Sequence, residues 1–137
     1  MNRRTLLQSI PALAFLTTAI SAEAQTSTAV FELRIYHTYD GKLPDLLTRF
    51  RDHTTRLFEK HGMKNIAYWT PTDDPIKDKT LIYILSHPSR DAATANWKAF
   101  GADPDWQSVQ SKSEANGKLV EKVDSTFMTL TDFSPKI

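Results

Sequence analysis

The sequence predicts an α+β fold: a ferredoxin-like β-α-β-β-α-β chain with helices on one face of a four-stranded antiparallel sheet. Three observations predict it. The segments "VFELRIYH" (30–37) and "STFMTLTDF" (125–133) alternate apolar and polar residues with the period of a half-buried strand. The stretch "LPDLLTRFRDHTTRLFEKH" (43–61) repeats apolar residues at the spacing of an amphipathic helix. Two strand-like segments, 64–70 and 80–87, then follow one another with no helical pattern between them.

Each element has its own signals. In the first strand Phe31, Leu33 and Ile35 fall on one face, and Glu32, Arg34 and Tyr36 on the other. Asp40-Gly41 marks the turn that follows. Leu43, Leu46, Leu47, Phe50, Leu57 and Phe58 form the apolar stripe of the first helix. Pro44 suits its first turn, where a missing N–H costs nothing. Asp45–Arg49 and Asp52–Arg56 are spaced as i,i+4 pairs on its solvent side. Gly62 stands where a left-handed residue closes a helix. "KNIAYWT" (64–70) is the second strand, and "PTDDPIKD" a hairpin loop. "TLIYILSH" (80–87) is apolar at nearly every position, which predicts burial on both faces. Ser89 caps a second helix whose buried stripe is Ala93, Trp97 and Phe100, and Gly101 ends it. Asp103-Pro104 restarts a short helix from which Trp106 and Val109 pack inward.

Helices on one face leave the other face bare. The expectation is that the bare face carries Glu32, Arg34 and Tyr36 of the first strand. The third strand offers Leu81, Tyr83, Leu85 and His87 on one side, Ile82 and Ile84 on the other. A bare face this apolar predicts a homodimer in which two such faces meet. The charges of the first strand must then be paired or line a cavity, because an unpaired buried charge is costly.

The N-terminus reads "MNRRTLLQSIPALAFLTTAISAEAQT". Arg3 and Arg4, the apolar run Ile10–Ile20 and Ala22-Glu23-Ala24 have the order of a cleaved export signal over residues 1–24. Both the general secretory and the twin-arginine route suit it. Residues 25–137 then form one domain, periplasmic or secreted. The chain has 17 basic and 16 acidic residues, so no basic surface invites nucleic acid. No second apolar run is long enough to span a membrane. There are no cysteines, which excludes disulfides, thiolate nucleophiles and Cys-ligated metals. Only four glycines are present, with no Gly-rich phosphate loop.

Several segments in order resemble the NIPSNAP family. They are "FELRIYHTYDGKLPDLLTRFRDHTTRLFEKHGMKNIAYWTP", "LIYILSHPSRDAATANWKAFGADPDW" and the terminal "TDFSP". The likeness spans nearly all of residues 30–135. It implies the dimeric α+β barrel, two chains closing their sheets on one another, as the bare face already suggests. The export signal departs from the vesicle-trafficking setting for which the family was named, and that role is not carried over.

Candidate chemistry gathers on the first strand. Arg34 and Tyr36 can clamp a carboxylate or hold an oxyanion, and Glu32 lies two residues from Arg34 on the same face. The plainer alternative is an Arg34–Glu32 or cross-dimer ion pair. His61 falls at a helix C-terminus, where an imidazolium is favoured by the dipole and can bond the last carbonyls. A general base at His61 requires the ring to pass the helix end into a cavity. Arg34, Tyr36 and His61 are the catalytic candidates. Glu32, Arg34, Tyr36, Tyr68, Trp69, Tyr83 and His87 are the candidate ligand-binding set, for a small hydrophobic or carboxylate ligand. His37 and His87 end their strands and could meet if those strands are neighbours. No metal motif is present. No cofactor is called for, although His87 alone would suffice as a haem ligand, since some dimeric α+β barrels hold haem. Two functions follow: non-covalent binding by a homodimer, or a cofactor-independent oxygenase or isomerase.

Overall fold

A computed structural model describes residues 29–137; the export signal expected over residues 1–24 lies outside the described residues. The elements run β1 (Val30–Thr38), α1 (Leu43–Arg49), a π-helical turn (Phe50–Thr54), α2 (Thr55–Lys60), β2 (Lys64–Trp69), β3 (Thr80–His87), α3 (Arg90–Ala102), α4 (Pro104–Ser113) and β4 (Val120–Met128). The four strands form one sheet in the order β2-β3-β1-β4, with every neighbour antiparallel. This is the ferredoxin-like arrangement the sequence predicts.

The predicted signals build the elements. Ser89 Oγ accepts the Ala92 N–H at 3.0 Å at the start of α3, and Asp103 Oδ1 accepts the Asp105 N–H at 2.8 Å at the start of α4. Gly62 adopts φ +77° after α2. A Cβ there would lie 3.0 Å from Asn96 Nδ2, so glycine also admits the close approach of α3. The first helix is not continuous. In its π turn the Thr55 N–H donates to the Phe50 carbonyl, and the Thr54 and Thr55 hydroxyls also donate to the Arg49 and Phe50 carbonyls at 3.3 and 3.1 Å. Phe50, Leu57 and Phe58 are all buried around this turn, each worth about 1.5–3 kcal/mol.

Two predicted features of this half differ. Arg49 does not pair with Asp45 on the solvent side; it is buried against Trp106, its guanidinium carbon 5.1 Å from the ring centroid. It lies three residues after Leu46, within reach of the buried stripe. The last strand begins at Val120, five residues before its alternating pattern, and ends at Met128. Pairing with β1 from Phe31↔Met128 to Thr38↔Val120 fixes these limits, not the strand's own mixed polarity.

The two faces of β1 are exchanged relative to expectation. Antiparallel register sets Glu32 opposite Leu85, Arg34 opposite Tyr83 and Tyr36 opposite Leu81. Leu81, Tyr83 and Leu85 are the larger apolar row of β3, and they enter the core under the helices with Phe50, Phe58 and Phe100. Glu32, Arg34 and Tyr36 must follow them. The bare face instead carries Leu33, Ile35, Ile82, Ile84 and Ala67, half-buried in the single chain, with Trp69 49 % exposed beside them. It is more apolar than the predicted one. β3 is therefore buried on one face within the chain, not on both. His37 and His87 end up at opposite ends of the paired strands, since His37 faces Thr80 and His87 faces Val30.

Candidate functional site

The polar row of β1 meets the helices at a single carboxylate. Glu32 is 1 % exposed and accepts four hydrogen bonds. His87 Nε2 and Trp97 Nε1 donate to Oε1 at 2.8 and 2.7 Å. Arg34 Nη1 and Ser125 Oγ donate to Oε2 at 2.8 and 2.7 Å. Burial alone would raise the Glu32 pKa, but His87, Ser125, Trp97 and Arg34 together hold it down at about 2. Glu32 is thus held as an anion of low basicity.

Arg34 spans the cluster. Its Nε donates to the Tyr83 hydroxyl at 3.1 Å, and its Nη2 reaches the Tyr36 hydroxyl at 3.5 Å. The guanidinium carbon stacks 4.2 Å from the Trp97 ring centroid. Burial opposes its charge, while Tyr36, Tyr83 and Glu32 favour it, and the net effect raises the Arg34 pKa. The side chain keeps 17 % exposure, and its Nη2–Tyr36 contact is the longest of its hydrogen bonds. Tyr83 is fully buried, and Tyr68 stacks on it at 5.0 Å. The Tyr68 hydroxyl donates to Asn65 Oδ1. Burial pushes the pKa of both phenols up, so both stay protonated.

Six predicted ligand residues are thus on one face: Glu32, Arg34, Tyr36, Tyr68, Tyr83 and His87. Trp69 is not among them; it lies opposite Ile82 on the bare face. His61 also lies apart. It caps α2, and its ring bonds the Asp103 carboxylate at 2.7 Å rather than terminal carbonyls. Lys60 shares that carboxylate at 2.7 Å, and the two bonds hold the Asp103 pKa well below the usual range. None of these bonds reaches the Glu32 cluster. Trp97 and Ser125 are members that sequence reasoning missed. The helical stripe marks Trp97 as buried, but nothing local reveals where an indole N–H will point. Ser125 became visible only once β4 was registered on β1.

His87 is enclosed beneath the helices. Its Nε2 is committed to Glu32, its ring is buried beside Phe127, and its Nδ1 has no partner among the described residues. Among the described residues no group of three or more His, Asp or Glu side chains is placed to hold a metal ion, and no helix is long and apolar enough to cross a membrane.

The sheet order and the helix-covered polar row define a ferredoxin-like α+β domain. The NIPSNAP family profile matches residues 31–135, and the chain belongs to that family. Solved structures agree at the level of fold. An uncharacterized NIPSNAP-like domain protein from Burkholderia xenovorans superposes with a TM-score of 0.69 at 15% identity, covering 81% of this chain and 92% of that one. A NIPSNAP family protein of unknown function from Agrobacterium tumefaciens gives 0.68 at 23%, covering 80% and 94%. SnoaB, a cofactor-independent oxygenase from Streptomyces nogalater, gives 0.50 at 15%, covering 80% and 99%. No curated protein matches the chain.

Proposed function

We propose that this chain is an exported homodimeric NIPSNAP domain that binds a small carboxylate-bearing, largely hydrophobic ligand without covalent chemistry. One observation carries this reading: Glu32 is occupied by four donors, and Tyr68 and Tyr83 are held protonated. The cluster therefore offers a fixed cation and a hydroxyl, at Arg34 and Tyr36, beside aromatic walls. Arg34 already has Glu32 as its counter-charge, so a ligand would be held by its remaining Nη2 edge and the Tyr36 hydroxyl. The bare apolar face supports the dimer, because a row of Leu33, Ile35, Ile82 and Ile84 is costly to leave in water.

The alternative is a cofactor-independent oxygenase or isomerase. The fold likeness to SnoaB favours it, as does the capacity of Arg34 and Tyr36 to stabilise an enolate oxygen. Native mass spectrometry of the protein from its own host separates the two. The binding reading expects a retained small molecule that is lost in Arg34→Met. Oxygen uptake by the wild-type protein with that molecule, abolished in Arg34→Met, supports the enzyme instead.

A further inference from the structure

Arg49 poses a problem that the Glu32 cluster does not solve. Its side chain is 5 % exposed. Its Nη1 donates to Ser113 Oγ at 3.3 Å, and its nearest carboxylate, Glu114, is 3.7 Å away. Its Nε is buried and finds no acceptor among the described residues. Arg34, by comparison, has Glu32 at 2.8 Å. Burial pulls the Arg49 pKa down, and the nearby Tyr36 and Glu114 offset this only in part. A buried guanidinium so weakly neutralised is a strong demand for an anion.

Arg49 also lines a groove of about 470 Å³ between α1 and α4. Small-molecule sites are typically ~300–1,000 Å³. From α4 the groove receives Lys112, Ser108 and Ser113, and from α1 Thr48; all can donate to an oxyanion. The helix changes to a π turn at the residue after Arg49, a feature often found at functional sites. Asp45 and Asp52 line the same groove. Their charges disfavour a polyanion and leave room for one headgroup only.

We infer that the groove between α1 and α4 is a second binding site, taking a small molecule with one oxyanion headgroup, carboxylate or phosphate, paired to Arg49. It is lined by other side chains than the Arg34–Tyr36 cluster, although Tyr36 lies near both guanidiniums.

The test is a set of nitrogen–proton NMR titrations of the purified chain with sodium acetate, sodium phosphate and, at matched ionic strength, sodium chloride. The signals to follow are the Arg49 Nε–H and the amides of Lys112 and Ser113. Saturable shifts in acetate or phosphate, absent in chloride, are expected; the tighter of the two identifies the headgroup. Ser108→Trp fills the groove from an exposed position without altering Arg49, and should weaken binding about tenfold or more. This variant keeps the test decisive if Arg49→Gln does not fold. Saturable binding should persist in Arg34→Met, so failure of the Arg34 site and failure of this one are distinguishable. Shifts equal in all three salts and linear in concentration would overturn the inference. So would an Nε–H whose only magnetisation transfer is to water.

Discussion

Replacing Glu32 with Gln isolates the charge at the centre of the cluster while keeping its shape. The folded-state pKa is about 2 against an ordinary 4.5. At about 1.4 kcal/mol per unit, and with an allowance for solvent screening, that difference contributes about 2–3 kcal/mol at neutral pH. The variant also leaves Arg34 buried without its counter-charge, so the total cost should reach about 3 kcal/mol. That corresponds to a fall in Tm of about 12 °C for a domain of this size. The sign of the pH dependence follows. A depressed carboxylate pKa stabilises the fold fully above 4.5, and this stability is lost as pH falls from 4.5 towards 2. Urea unfolding of both proteins from pH 7 to pH 2 measures it. The stability gap between them should be constant above pH 5 and close below it. A gap under about 0.5 kcal/mol at pH 7, or one that does not narrow in acid, would refute the reasoning.

Trp97→Phe removes the indole donor 2.7 Å from Glu32 but keeps a ring in the core, and should cost about 1.5–3 kcal/mol in urea unfolding. Gly62→Ala meets both a positive φ and Asn96, so it should destabilise by about 1–2 kcal/mol by calorimetry. Gly41→Ala has the same handedness but open space, and its smaller loss would measure the crowding at Asn96. Ile84→Asp, on the bare face, should leave the circular dichroism spectrum unchanged and produce a monomer by sedimentation.

The order of elements was legible because local signals agree with it. Ser89, Asp103 and Gly62 each act within a few residues of their own position. The membership of the cluster was partly legible, since Glu32, Arg34 and Tyr36 share one side of a strand by period alone. Which side faces the helices was not. Parity tells that Glu32 and Phe31 point apart, but only pairing with β3 decides that Tyr83 and Leu85 draw the polar row inward. The apolar row of β1 looks like the core row because Glu32 is costly to bury. Four donors from β1, β3, α3 and β4 remove that cost, and three of them are distant in sequence. Arg49 was misjudged for a similar reason: the i,i+4 spacing to Asp45 is real, but Trp106 and Ser113 from α4 take the side chain instead.

The bare face of the sheet is the feature on which the proposed function most depends. Multi-angle light scattering of purified residues 25–137 at micromolar concentration measures the oligomeric state directly. The account predicts a mass of two chains, falling to one in Ile84→Asp. A wild-type protein that runs as a stable single chain, with Leu33, Ile35, Ile82 and Ile84 open to water, would contradict it.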